Sequence, residues 1–540
     1  MVALGFASGL PFYLIFDTLS AWLRQVGLSL EVIGLFSLAT LAFSFKFLWA
    51  PLIDRTSVPV VGAWLGHRRS WMLLCQILIV GGLWTLAGLD PSRELGLMAA
   101  VAVLVGIVSA TQDIALDAWR IEAVGQSRQG AMTTAHQWGY RIATILSGAL
   151  PLVLAQAYGW HVSYGVMAAL MGFGILATLA APRETRHEIR EIHVEGTPPA
   201  PARDLFEWAA RLLVLTAGAL VLGAGLAANA TLLSSILSAV GMAGAGQSIT
   251  AAWRSSSGLW FQMLSVLIGF VVIAIAVWPV PGVRTRPGAY LGTALGEPLK
   301  EFFNRYGSQA TLVLALVCLY RLSDFLVNIM NPYYLDIGFT LTEVAEVRKV
   351  LGVVGSMAGV AAGGYAIARF GLRTSMLVGA IGGPVSNLLF VWLATRGHDI
   401  GALFVAITLD NVFSGFAGTC LVVYMSGLTA KGFTATQYAL FSSLYAIPGK
   451  ILASQSGRIV EAAAHNVENG GALSIVHGLF TKLPPESFAK AYEKSGVSPA
   501  ALASGYSIFF TYTCLVGLVA IVLTAAVVRR EQASPPPSAQ

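Results

Sequence analysis

Fourteen stretches of this chain stay apolar for about twenty residues or more, and polar loops separate them. They fall near 3–23, 32–52, 70–89, 96–118, 132–157, 160–181, 209–237, 258–280, 309–330, 344–368, 374–394, 400–428, 434–460 and 505–528. A helix of that length spans the hydrocarbon of a bilayer. In lipid each backbone N–H and C=O must find its partner within the protein, so the runs predict helices and an all-α polytopic membrane protein. Of 540 residues, 56% are hydrophobic and only 11% charged, with a mean hydropathy of +0.72. Soluble chains carry roughly 25% charged residues, so a water-soluble globule is excluded. The net charge of +6 is concentrated in particular loops, which argues for membrane orientation and against nucleic acid as a partner. Cys75, Cys318, Cys420 and Cys514 each lie in an apolar run without metal-ligand spacing, so they read as packing residues and no metal or cofactor is expected. The first run begins almost at Met1 without a small-residue cleavage site, and it reads as a retained span.

The runs divide as six, two and six. The organisation expected is a six-helix bundle over 1–181, a solvated linker over 182–208, two additional spans over 209–280, a second linker over 281–308, a second six-helix bundle over 309–528 and a tail over 529–540. The second bundle contains a polar loop, 461–504, with short helices expected in it. Lysine and arginine favour one side of the membrane by about two to one, and that side holds both termini and both linkers. These are therefore expected in the cytoplasm, and the 461–504 loop on the opposite face, where it is a candidate cover for the mouth.

One apolar run interrupts itself with charge. Val101 to Ser109 leads into Gln112, Asp113, Asp117, Trp119 and Arg120. A carboxylate at that depth costs at least a few kcal/mol unless it faces protein or water. Asp113 and Asp117 are four apart and share a helix face, where like charges oppose joint ionisation. A carboxylate that takes up and releases a proton is what a proton-coupled carrier needs. Asp117 and Arg120 also fit a helix end in the headgroup region.

The two six-run blocks echo each other. Gly27-Leu-Ser-Leu-Glu31-Val32 follows the first run, and Gly338-Phe-Thr-Leu-Thr-Glu343-Val344 follows the ninth. Ala50-Pro-Leu-Ile-Asp54-Arg55 and then Gly66-His67-Arg68-Arg69 follow the second, against Gly364-Tyr-Ala-Ile-Ala-Arg369-Phe-Gly371-Leu-Arg373 after the tenth. Arg141 precedes Gly148 by seven residues, as Lys450 precedes Gly457. Two parallel halves with a site between them is a transporter plan.

The 54–69 and 369–373 loops resemble the signature of the major facilitator superfamily, with an insertion over Thr56 to Leu65 and with Ala368 in place of an acid. The resemblance implies the major facilitator fold, fourteen transmembrane helices in all, and a gating role for Asp54, Arg55, Arg68, Arg69, Arg369 and Arg373. Gly5-Phe-Ala-Ser-Gly-Leu-Pro11, Phe45-Lys46-Phe-Leu-Trp-Ala-Pro51, Ser109-Ala-Thr-Gln-Asp113-Ile-Ala-Leu-Asp117-Ala-Trp119, Tyr140-Arg141, Asp324, Asn411 and Ala435-Thr-Gln437-Tyr-Ala-Leu narrow it: they resemble the AmpG-type muropeptide permeases. That resemblance implies import of N-acetylglucosaminyl-1,6-anhydro-N-acetylmuramyl peptides across the bacterial inner membrane, driven by protons, by a protein expected to work as a monomer among membrane lipids.

In the superfamily the first and fourth helices of each half line the cavity, here spans 1, 4, 9 and 12. Asp17, Asp113, Arg321, Asp324 and Asp410 fall on them, while Arg141 and Lys450 lie on the fifth helix of each half and Lys46 near the end of span 2. Intramembrane ionisable residues default to function. Asp113, with Asp17 and Asp117, is expected to carry the proton, and Arg141 to pair with one of these carboxylates and release it. Arg321 and Lys450 are expected to attract peptide carboxylates, with Asp324 and Asp410 pairing with these bases or bonding sugar hydroxyls. Arg321 and Asp324, three apart, equally suit a pair that satisfies itself. Gln112, Gln137 and Asn411 suit either cargo binding or helix-to-helix bonding. Trp138 and Tyr140 suit sugar stacking or the membrane interface. Another anionic cargo, such as an acyl-CoA, remains the alternative. A membrane-embedded transferase is less favoured, because His67 and His136 are isolated, and charges of both signs suit alternating pairing better than a channel.

Overall fold

The computed structural model describes residues 1–27, 41–184, 200–226, 230–239, 241–255, 258–279, 285–325, 329–347, 352–453 and 455–533. Among them eleven helices are long and apolar enough to cross a membrane. In the first half these are α1 (Val2–Gln25), α2 (His67–Gly88), α3 (Leu95–Ala123), α4 (Gln126–Tyr158) and α5 (Trp160–Ala180). Between the halves stand α6 (Pro201–Leu226) and α7 (Gly258–Val277). The second half supplies α10 (Val353–Phe370), α11 (Leu372–Arg396), α12 (Ile400–Gly427) and α14 (Pro499–Arg530). The protein is an all-helical, multi-pass membrane protein.

The other three of the fourteen expected runs are shorter or broken helices. Run 32–52 falls partly outside the described residues, and ends as helices Leu41–Phe45 and Ala50–Arg55 around a tight turn at Lys46–Leu48. Run 309–330 holds α9 (Ala310–Leu319) and the short helix Leu322–Phe325, with the chain reversing its regularity at Tyr320 and Arg321. Run 434–460 holds α13 (Thr434–Ala453), followed by the amphipathic helix Ser456–Glu468. Irregular backbone at membrane depth is tolerated where protein or a cavity supplies partners.

Small residues let helices meet backbone to backbone, which is how spans associate when lipid removes the hydrophobic drive. A Cβ on Gly9 would lie 2.7 Å from the Tyr140 carbonyl oxygen, and Gly5 and Gly139 press against the carbonyls of His136 and Val2, so α1 and α4 are in direct contact. In the second half Gly355 and Gly363 similarly face the Thr408 and Phe416 carbonyls, binding α10 to α12. Pro11 lies inside α1, and the next turn, Leu14–Thr18, is wound as a π-helix. Proline removes an internal hydrogen bond and disturbs the helix around it. Tyr164 Oη donates to the Leu14 carbonyl at 2.8 Å and Thr18 Oγ1 to the Ser147 carbonyl at 2.8 Å, which fixes the widened turn that carries Asp17.

The additional pair packs on itself through Gly218, Gly225 and Gly269. It then covers a cluster of Phe45, Leu222, Leu226, Val266, Ile273 and Ile447, taken from both halves as well as the pair. Arg211 on α6 is buried, pairing with Glu207 at 2.8 Å and capping the α7 carbonyl of Ala276 at 2.6 Å. The segment between Glu468 and Pro499 packs Phe480, Phe488 and Val497 onto Tyr333, Phe390, Tyr506 and Phe510, so it rests on the second half. The last span opens at Pro499, six residues before the expected 505, because Ser498 caps it while bonding Glu468.

Candidate functional site

The site begins with the placement of charge in the middle of the spans. Asp113 lies on α3, whose apolar neighbours Ile114, Ala115 and Leu116 are buried in a cluster of first-half residues that also takes in Ala435 and Ala439 of α13. Ser8 of α1 donates to Asp113 Oδ1 at 2.5 Å. Lys46, 8% exposed, is the cation within electrostatic reach of Asp113, and Asp117, Cys75 and Tyr140 are the other titratable groups near it. Asp117 is partly buried and sits 3.3 Å from Arg120. Arg120 is fully buried and also donates to Thr133 Oγ1 at 2.8 Å and, in the other half, to Ser426 Oγ at 3.2 Å. Asp17 is exposed on the π turn of α1.

The second half answers with its own charges. Arg321 Nε and Nη2 both donate to Asp324 Oδ2, at 2.9 and 2.7 Å, and Nη2 donates to Ser414 Oγ of α12 at 2.8 Å. The self-satisfying pair that the spacing allowed is therefore present, with both side chains about one-fifth exposed. Asp410 Oδ1 accepts from Ser386 at 3.0 Å. Asn411 Nδ2 bonds the Ile407 carbonyl one turn back at 2.8 Å. The backbone of Lys450 lies in α13, and its side chain falls outside what the structure describes.

The remaining expected residues separate into two groups. Trp138 Nε1 donates to the Met357 carbonyl at 3.0 Å and Thr134 Oγ1 to the Val360 carbonyl at 3.3 Å, so α4 is bonded to α10 across the two halves. Tyr140 is partly buried, with Asp113, Tyr13, Arg141 and Tyr445 in electrostatic reach. Arg141 has Arg321 as its charged neighbour where a carboxylate partner was expected. Gln112 is fully buried, and neither amide atom is bonded among the described residues.

The 54–69 loop builds the densest polar structure. Asp54 and Arg68 meet at 2.7 Å with neither side chain exposed. Arg68 also takes Glu122 at 2.8 Å and the Ile53 carbonyl at 3.0 Å, while its own N–H donates to Glu184 at 2.6 Å. Arg69 bonds the Thr178 and Leu179 carbonyls at the end of α5, at 3.0 and 2.6 Å. Asp54 additionally accepts from the N–H groups of Ala435 and Thr436 at 3.1 and 2.7 Å, and from Thr436 Oγ1 at 2.6 Å. These are the unbonded donors at the head of α13, where an anion is favoured. Arg55 pairs with Glu297 at 2.9 Å and lies 5.7 Å from the Phe433 ring. Glu297 belongs to the amphipathic helix α8 (Arg286–Tyr306), whose Glu301 takes Gln437 Nε2 at 2.7 Å. Arg369 and Arg373, the counterparts in the second half, are exposed.

Hydrogen bonds join the first half directly to the second between the middle of the spans and this loop end: Asp54 to Ala435 and Thr436, Arg120 to Ser426, Thr134 to Val360, and Trp138 to Met357. That end is shut. Sequence reasoning did not select Ser8, Glu122, Glu184, Glu297 or Ser426. A serine in an apolar span, and acids in the last turn of a helix or just past its end, as at Glu122 and Glu184, were the available signals.

A family model described as Major Facilitator Superfamily matches residues 1–295. The anhydromuropeptide permease of Escherichia coli (strain K12) is 29% identical over 465 residues, which cover 86% of this chain and 74% of that protein. The putative transporter AmpG 4 of Rickettsia conorii is 26% identical over 460 residues, 85% of this chain and 88% of that one. The similarity to AmpG-type proteins read from the residue patterns is thus found again along most of the chain. Among solved structures, the major facilitator transporter FucP aligns over 97% of each chain with 13% identity and a TM-score of 0.46, too low to add to the argument.

Proposed function

Because the chain belongs to the major facilitator superfamily, we propose that it is a proton-coupled secondary transporter that imports anhydro-muropeptides across the bacterial inner membrane, with both termini and both linkers in the cytoplasm. The transporter class follows from the family. The cargo rests on one observation, the 29% identity over 86% of this chain with the anhydromuropeptide permease. In this reading residues 1–181 and 309–528 are the two moving halves, and the additional pair α6 and α7 is a structural addition beside the seam.

Proton coupling is assigned to Asp113, with Asp17 and Asp117 as neighbouring carboxylates. The short bond from Ser8 and the nearness of Lys46 support it, because a proton arriving at Asp113 changes what both of these can hold. Lys46 is the cation within electrostatic reach of Asp113, where Arg141 was expected to pair with one of the three carboxylates. Arg321 is assigned to cargo, held at the correct angle by Asp324 and Ser414, and Asp410, Asn411, Gln112 and Tyr140 are assigned to polar contacts with sugar and peptide. Asp54, Arg55, Arg68 and Arg69 form the cytoplasmic gate, with Arg369 and Arg373 on its outer surface. With that gate shut, cargo enters from the periplasmic side.

The test is uptake of labelled anhydro-muropeptide into proteoliposomes under an imposed pH gradient. Accumulation that follows the gradient in the native chain, and loses that dependence in Asp113→Asn, is expected. Uptake of an acyl-CoA with none of muropeptide would replace the cargo while leaving the transporter class in place.

A further inference from the structure

On α4, Thr134, Trp138 and Arg141 follow one another at spacings of four and three, so they form one stripe on the helix. The first two members bond the α10 backbone of the opposite half. Arg141 extends that stripe by one turn toward the middle of the seam, where it comes within electrostatic reach of Arg321 from the second half. Tyr445 of α13 lies within reach of both guanidinium groups, and Tyr13 and Tyr140 flank Arg141. Among the described residues the Arg141 guanidinium has no hydrogen-bond acceptor, and Asp324 is the carboxylate that offsets Arg321. Nη1 of Arg321 is likewise left without an acceptor among the described residues.

Among the described residues, the two guanidiniums and the one carboxylate within reach of one another leave one positive charge uncompensated at this seam. Proteins rarely keep such a charge unless a ligand completes it. The planar forks of two guanidiniums suit a carboxylate, which accepts several hydrogen bonds at once. We propose that Arg141 and Arg321, one from each half, form a two-armed clamp that grips a single carboxylate of the cargo between them. The clamp rests on the reading of the chain as a carrier of muropeptides, and it assigns the stem-peptide carboxyl as the group recognised. It also joins binding to movement. The empty clamp sets like charges against each other across the seam, and a bound carboxylate draws the halves together around it.

The experiment measures binding to the full-length chain in proteoliposomes, using anhydro-muropeptide with free stem-peptide carboxyls and the same molecule with those carboxyls converted to amides. The native chain should prefer the free acid by roughly 10- to 100-fold, the range for hydrogen bonds to charged groups. Arg141→Gln should remove most of that preference by weakening the acid alone, with affinity for the amide form kept. Arg141→Lys should retain part of it, since the charge survives and the fork does not. A native chain that binds both forms equally, or an Arg141→Gln chain that keeps the full preference, overturns the clamp and leaves the muropeptide reading standing. Binding of neither form, by a chain that still binds another cargo, overturns both. Amide binding in the Arg141→Gln chain shows that it has folded; if that is lost, the decision passes to Arg141→Lys, where an unchanged preference for the acid also overturns the clamp.

Discussion

Asp54 touches Arg68 at 2.7 Å in its own half and the Thr436 N–H at 2.7 Å in the other half, and none of its surface is exposed. One carboxylate thus neutralises a buried arginine and caps the head of α13 at once. Removing one partner of a buried pair costs about 3–5 kcal/mol, because the other charge stays behind unpaired. Asp54→Ala should therefore favour the state in which this end is open. Spin labels placed on either side of the 54 and 435 contact should report a population at longer distance, together with a lower melting temperature. An unchanged distance distribution would remove Asp54 from the gate.

Asp113 carries the proton in our reading, so Asp113→Asn should separate exchange from accumulation. The variant is expected to swap labelled for unlabelled cargo across the membrane while the ratio of uptake with and without a pH gradient falls to about one. Ser8→Ala removes the 2.5 Å donor and should shift the pH at which uptake is half-maximal without abolishing it. Gradient-driven accumulation by Asp113→Asn at the native level would move the proton to another carboxylate.

Close approach of α1 and α4 depends on residues that lack a side chain. A Cβ at Gly139 overlaps the Val2 carbonyl, whereas at Gly148, on the same helix, it meets nothing within 4 Å. Gly139→Ala should lower stability by roughly 1–3 kcal/mol, the range for overpacking, and Gly148→Ala should not. Thermal melts of the two purified variants make the comparison.

The additional pair should matter for stability and little for transport. Gln262 of α7 bonds the Gly225 carbonyl at 2.8 Å and receives Gln455 at 2.8 Å, tying α6, α7 and the second half together. Gln262→Leu should cost roughly 1–3 kcal/mol by leaving Gly225 without its bond. Cargo uptake at saturating substrate should remain close to native. A large loss of uptake with unchanged stability would give the pair a working role.

Some parts of the site were legible because their physics is local. Asp113 and Asp117 stand out in an apolar run, and Arg321 with Asp324 is a three-residue spacing that the structure closes at 2.7 Å. Trp138 shows the opposite case. Its indole was compatible with stacking on sugar, and the structure gives its N–H to the Met357 carbonyl 219 positions away. Nothing in the neighbourhood of Trp138 in sequence announces that partner.

The sequence by itself determined that this chain lives in a bilayer as a bundle of helices, because apolar length and scarce charge leave no other way to bond the backbone. It also determined which ionisable residues lie at membrane depth, since each is conspicuous against an apolar background. Only the tertiary structure decided the pairings: Ser8 on Asp113 with Lys46 in electrostatic reach, Glu122 on Arg68, Asp54 on the head of α13, Arg141 in electrostatic reach of Arg321. Pairing is a matter of distance between helices that are far apart along the chain, and that distance is set by glycine contacts and proline-disturbed turns whose combined effect no local pattern records.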